Sequence, residues 1–165
     1  SEEVFTTPHR LRVDGEVSAT KPLSHQGSLI DNIKVKFESG KITQANATKG
    51  EKVLLKVLDS DEGARRLGEV ALVPDNSPIS QTGLLFYNTL FDENAACHIA
   101  LGQCYTKCFK NQNLTKEEIS SQGGNSSMIH IDWMIGSNQI DIDGIKQNGE
   151  ITPIFRKGKW AQKFN

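Results

Sequence analysis

Between Met128 and Ile135 the side chains alternate, with Ile129, Ile131, Trp133 and Ile135 in one register and His130, Asp132 and Met134 in the other. A period of two belongs to a β-strand, whose successive side chains point to opposite faces. The pattern therefore demands a sheet with one face against a core. It also sets His130 and Asp132 on the same face, roughly 7 Å apart at their backbones. Imidazole and carboxylate suit zinc, cobalt or manganese, and an apolar opposite face would hold such a pair rigidly. A histidine hydrogen-bonded to an aspartate for structural reasons fits the same pattern, so this strand alone leaves both readings open.

The rest of the chain supplies partners for that strand. Short alternating runs at Arg10 to Val17, Ile33 to Phe37 and Lys41 to Ala45, with the turn pair Ser39-Gly40, predict antiparallel strands in the first third. Val53, Leu54, Val57 and Leu58 follow helical spacing from Gly50 to Leu58, and Asp59-Ser60-Asp61-Glu62-Gly63 ends that helix. Gly68 to Pro74 reads as a short buried strand closed by proline. A helix is expected from the N-cap residue Asp92 through to Tyr105, with small apolar residues that predict deep burial. Thr115 to Glu118 matches a capping box for a single turn. Ser120 to Ser127 reads as a loop, and Gln139 to Ile145 and Glu150 to Phe155 as strands joined by a turn at Asn148-Gly149. The expectation is one α+β domain over residues 1–165, with a mostly antiparallel or mixed sheet and a buried ligand-bearing helix.

Bulk properties narrow the function classes. With 165 residues, 36% of them hydrophobic and 24% charged, the chain is a globular domain able to bury roughly 70% of its unfolded surface. A formal net charge of -1 gives no reason to expect a nucleic-acid partner, and the basic stretch Arg156 to Lys163 reads as a solvated end. No window approaches the about 18 apolar residues of a membrane helix, and the start Ser1-Glu2-Glu3-Val4-Phe5 has no leader pattern. Cys97, Cys104 and Cys108 are odd in number and match no structural zinc spacing, so they read as free thiols of a reducing cytoplasm.

Several further residues are candidates for chemistry. His98 lies in a small, apolar surrounding, where an imidazole needs a partner to offset its lost hydration. On the expected helix Tyr105 lies two turns further along nearly the same face. A satisfied core histidine beside a packed tyrosine is the plain alternative. Glu69 stands between Gly68 and Val70-Ala71-Leu72-Val73, where a buried carboxylate calls for a counter-charge such as a metal. Glu93 at the expected helix start has an ordinary role at the positive end of the helix dipole. Glu2 and Glu3 read locally as frayed terminal acids.

Four ordered stretches, Glu2 to Arg10, Leu67 to Pro74, Asp92 to Tyr105 and Met128 to Ser137, closely resemble the aminopeptidase T family. The likeness spans essentially the whole chain. It implies that Glu3, Glu69, Glu93, His98, His130 and Asp132 bind metal and that Tyr105 is the site tyrosine, with Glu3 chosen over Glu2 by alignment of the motif. Four carboxylates and two imidazoles suffice for two divalent ions, zinc, cobalt or manganese, roughly 3.5 to 4 Å apart. By the resemblance, activated hydroxide attacks the scissile carbonyl and an N-terminal amino acid is released from a peptide. Tyr105 would serve the developing oxyanion or orient the hydroxide, and Glu69 or Glu93 would move the proton. The family's enzymes are more than twice this length, which implies a C-terminal catalytic domain without its N-terminal domain and a homodimer in the full-length enzyme. A non-catalytic assembly module and a different metallohydrolase are the alternative readings.

Overall fold

The sequence patterns place strands at both ends of the chain, and a computed structural model, describing residues 2–162, bears this out. Ser1 and residues 163–165, including the Lys163 that closes the basic stretch, lie outside the described residues. The first third contains β1 (Val4–Thr6), β2 (Gly15–Ser18), β3 (Leu23–His25), β4 (Ser28–Ile30), β5 (Lys34–Glu38) and β6 (Lys41–Asn46), followed by α1 (Glu51–Leu58). Next come β7 (Leu67–Leu72), α2 (Pro78–Thr82), α3 (Thr89–Asp92), β8 (His98–Gly102) and α4 (Lys116–Ser121). The last part holds β9 (His130–Met134), β10 (Ile142–Ile145), β11 (Ile151–Arg156) and β12 (Lys159–Trp160).

Short connections favour antiparallel neighbours, and the described strand pairings are antiparallel. The central sheet has the order β1-β7-β8-β9, flanked by a β2-β5-β6 sheet, a β3-β4 hairpin and a β10-β11-β12 sheet. This is the α+β, mostly antiparallel class that the sequence predicts. Helix α1 buries Leu54 and Leu58, two of the residues at helical spacing. At α4 the Thr115 hydroxyl accepts from the Glu118 amide while the Glu118 carboxylate accepts from the Thr115 amide, completing the capping box.

The register of the central sheet separates chemistry from core. Ile99 faces Trp133 and Leu101 faces Ile131 across β8 and β9, and these four pack with Leu67, Val35, Phe37 and Leu54 in one apolar cluster. On the opposite face Ala100 stands between Glu69 and Asp132, His98 lies opposite Ala71 and Met134, and Gly102 faces His130. Phe5 pairs with Ala71, so β1 leads Glu3 onto the polar face as well. A bulge makes this possible: Leu67 pairs with Leu101 and Glu69 with Ala100, so the intervening Gly68 is the extra residue. Without it, residues two apart would share a face, and Leu67 and Glu69 could not serve core and site respectively. A Cβ at Gly68 would stand 2.4 Å from the Gln103 carbonyl oxygen and 2.6 Å from that of Gly102, which explains the glycine.

The helix expected from Asp92 to Tyr105, the ligand-bearing element of the sequence reading, is corrected. Helix α3 starts earlier, capped by Asn88, and ends at Asp92; Glu93–Ala95 form a 3-10 turn; and His98–Gly102 are the strand β8. All five residues of β8 are buried, because it pairs on both edges and is covered on both faces. Such a strand shows no alternation, and a short apolar run cannot be told from a buried helix by period alone. The N-cap signal at Asp92 and the small apolar residues after it fit a buried strand as well as a helix, and tertiary pairing decided between them. The cysteines accordingly do not line a helix: Cys97 and Cys104 are buried, Cys108 is exposed, and all are free.

Candidate metal centre

Both imidazoles on the polar face are fixed in the same manner. His98 Nδ1 lies 3.1 Å from the Ala96 carbonyl oxygen, and His130 Nδ1 lies 2.7 Å from that of Gln103. A carbonyl only accepts, so each Nδ1 carries a hydrogen and each neutral ring offers its Nε2 lone pair to the site. His98 Nε2 is buried, makes no hydrogen bond, and lies 3.1 Å from Glu3 Oε2 and 3.7 Å from Glu69 Oε1. A lone pair aimed at two carboxylate oxygens is repulsive unless a proton or a cation stands between them. Glu3, Glu69 and His98 indeed offer three ligand atoms within 4.8 Å of one another.

Glu69 serves both halves of the cluster. Its Oε1 faces His98, while its Oε2, also buried and without a hydrogen bond, lies 3.9 Å from His130 Nε2. That same Nε2 is 3.4 Å from Asp132 Oδ1. Glu69 and Asp132 are 3% and 6% exposed, so these charges are desolvated and need a positive counterpart. Oxygen and imidazole donors converging in this way are the donor set of zinc, cobalt or manganese. The residues present fit a divalent centre.

The electrostatics carry the same message. Burial pushes the Glu93 carboxyl up to about 7, reinforced by the charges of Asp132, Glu3 and Glu69 and opposed by His98. Glu93 stands on the 3-10 turn Glu93–Ala95 rather than at the start of a long helix. Burial opposes protonation of His130, yet Asp132, the Gln103 carbonyl and Glu69 outweigh it and raise the group to about 9. His98 is likewise raised, with Glu69 and the Ala96 carbonyl overcoming its burial. Without metal, therefore, protons hold the acids and imidazoles together.

Tyr105 reaches the site by another route than a shared helical face. The backbone turns at Gly102, whose φ is 98°, and Tyr105 follows in a loop before the 3-10 turn Thr106–Cys108. Its ring centroid lies 4.7 Å from that of His130 and 5.9 Å from that of Phe5. Partial burial and then the carboxylates Asp132, Glu69, Glu93 and Glu3 push its hydroxyl pKa up, so near neutrality it remains a hydrogen-bond donor.

Some supports were invisible in the sequence. The carbonyls of Ala96 and Gln103 orient the two imidazoles, and a backbone oxygen leaves no trace in residue type. Asp61 accepts from the Met128 amide at 2.6 Å and from the Ser127 hydroxyl, pinning the loop that enters β9. Buried Asn125 donates to the Gly63 and Gly102 carbonyls, at 2.8 and 2.7 Å. Asp61 and Asn125 were legible only as turn and loop residues.

A pH prediction follows from the raised values. A group whose folded pKa lies above its unfolded value adds stability that is complete below the unfolded value and vanishes as pH rises through the folded one. For Glu93 that window runs from 4.5 to about 7, and for His130 from 6.5 to about 9. Metal-free protein is therefore expected to lose thermal stability steadily between pH 4.5 and 9. With excess manganese the slope should reverse, because a cation displaces the same protons. Melting curves at pH 5, 7 and 9 with and without manganese check both signs; parallel slopes would remove the shared role of metal and proton.

An α+β domain whose polar sheet face gathers carboxylates and imidazoles in this way has the donor chemistry of a divalent-metal centre. The match to the family described as thermophilic metalloprotease (M29) covers residues 1–160, and the chain belongs to that family. It is 53% identical over 161 residues to aminopeptidase T of Thermus aquaticus, covering 98% of this chain and 39% of that protein. It is 51% identical to aminopeptidase AmpS of Bacillus subtilis, covering 98% of this chain and 40% of that protein. The solved structure of wild-type AmpT from Thermus thermophilus matches with a TM-score of 0.92 and 52% identity, over 98% of this chain and 40% of that one. The chain thus spans about two fifths of the length of these relatives.

Proposed function

We propose that these residues form the C-terminal catalytic domain of a metallo-aminopeptidase that releases N-terminal amino acids from peptides. The observation that carries this reading is the buried His98 Nε2 converging with Glu3 Oε2 at 3.1 Å and Glu69 Oε1 at 3.7 Å, in a chain whose relatives are named aminopeptidases. Glu3, Glu69, His98, His130, Asp132 and Glu93 would hold two divalent ions. Those ions would supply Lewis acidity and acidify an attacking water.

The chain's own residues divide the remaining work. Glu93, on the 3-10 turn that leads into β8, can take a proton from the attacking water and give it to the leaving amine. Tyr105 keeps its hydroxyl proton and donates toward the oxyanion that develops on the scissile carbonyl. Glu69 is too committed to both imidazoles to move freely, which makes Glu93 the better proton carrier of the two.

The whole protein would include an N-terminal domain and act as a homodimer. Support comes from an exposed apolar segment beside the site: Leu84, Phe86, Tyr87, Leu90 and Phe91 lie on the surface just before Glu93. Asp92 accepts from the Phe86 and Asn88 amides, and Asn94 ties Leu90 to Glu2, so that segment is braced against the cluster. An apolar patch of this kind marks a contact surface. Among the described residues no helix is long and apolar enough to cross a membrane, and the free thiols favour a reducing cytoplasm.

The test is hydrolysis of leucine p-nitroanilide and of dipeptides by the full-length protein. Turnover is expected to vanish on chelation and to return with zinc, cobalt or manganese. Metal-independent turnover, or none in any metal, would remove the reading.

A further inference from the structure

Pairing of β1 with β7 begins at Val4, opposite Leu72, so Glu3 lies one residue outside the ladder of the central sheet. Backbone past the last ladder pair opens easily unless another contact ties it down. Yet Glu3 Oε2 stands 3.1 Å from His98 Nε2, nearer than Glu69 Oε1 at 3.7 Å. The tie lies on the far side of Glu3, where the Glu2 amide donates to Asn94 Oδ1 at 3.0 Å. The ladder and the Asn94 side chain thus hold Glu3 from both ends.

Asn94 is itself firmly placed. It sits on the 3-10 turn Glu93–Ala95, its Nδ2 donates to the Leu90 carbonyl at 3.1 Å, and its own carbonyl accepts from the hydroxyl of Ser77, the buried residue that caps α2. A backbone amide only donates and a carbonyl only accepts, so one orientation of the side-chain amide serves Glu2 and Leu90 together. Asparagine meets both demands, aspartate meets the first, and alanine meets neither. We propose that Asn94 is a positioning residue for the metal centre: by holding the Glu2 amide it keeps Glu3 preorganised beside His98. A cation then need not order the Glu3 backbone on binding, a loss of conformational entropy that would weaken affinity. The inference rests on the metal-centre reading and adds to it a residue outside the donor set, acting through Glu3.

The experiment measures manganese affinity of the full-length protein by calorimetric titration, alongside the Tm of the metal-free form. Asn94→Ala is expected to weaken manganese binding about tenfold, as loss of a group that orients a ligand does. Asn94→Asp, which keeps the acceptor for the Glu2 amide, should bind within about threefold of wild type. In Glu3→Gln, where the carboxylate being held is gone, adding Asn94→Ala should change affinity by less than about twofold. Asn94 is part-exposed, so these variants leave the core intact. A merely structural role would lower the metal-free Tm and leave affinity alone. That result, an equal loss in both backgrounds, or a failure of aspartate to rescue overturns the proposal while leaving the metal-centre reading standing. Should Glu3→Gln bind no manganese, the contrast between alanine and aspartate decides. Wild type that binds neither manganese, zinc nor cobalt overturns the metal-centre reading, and this inference with it.

Discussion

Replacing His98 by alanine in the full-length protein is expected to lower kcat/KM for leucine p-nitroanilide by about a thousandfold, and to abolish stabilisation by metal. His98 is fully buried, its tautomer is set by the Ala96 carbonyl, and its Nε2 faces two carboxylates. Alanine leaves those carboxylates without the imidazole that completes the donor set, and losing Lewis-acid stabilisation of a transition state forfeits several kcal/mol. A metal bound only by the folded state at a hundred times its Kd stabilises by about 2.7 kcal/mol. In a full-length protein more than twice this size that corresponds to a rise in Tm of roughly 2 to 5 °C. The readout is the difference in Tm with and without metal, which cancels the packing cost of the substitution. An undiminished metal-induced rise in His98→Ala would place the cation elsewhere.

Trp133→Ala carries the second large effect, about 3–5 kcal/mol of lost stability. The indole is 1% exposed and lies in the core cluster across from Ile99. Removing it takes apolar surface out of the core and leaves a cavity that a central sheet cannot readily collapse. Urea or thermal unfolding should register the loss as about 10–15 °C in Tm. Because Trp133 adjoins Asp132 on β9, weakened metal affinity is expected to accompany it. A loss below 1 kcal/mol would contradict the view that this face of β9 anchors the core.

The site was legible to unequal degrees. His130 and Asp132 could be read from strand alternation alone, since period two places both on one face whatever surrounds them. Glu69 was legible as a misplaced charge in an apolar run. His98 was noticed for its apolar setting, but its element was misread, because β8 is buried on both faces and so lacks alternation. Tyr105 was expected along a helical face; the turn at Gly102 brings it to His130 instead. Glu3 and Glu93 carried no local pattern and entered through the family resemblance. The bulge at Gly68 was not anticipated, although it alone lets Leu67 and Glu69 face opposite ways.

What the sequence by itself determined was local: which residues alternate, where turns must fall, which side chains can bind a cation, and which family the ordered motifs resemble. The tertiary structure alone decided that Glu3, Glu69, His98 and His130, far apart along the chain, meet on one sheet face, and which backbone carbonyls fix the imidazoles. The physical reason is that strand register and backbone hydrogen bonds depend on long-range pairing. Propensity and periodicity report only on neighbours within a few residues.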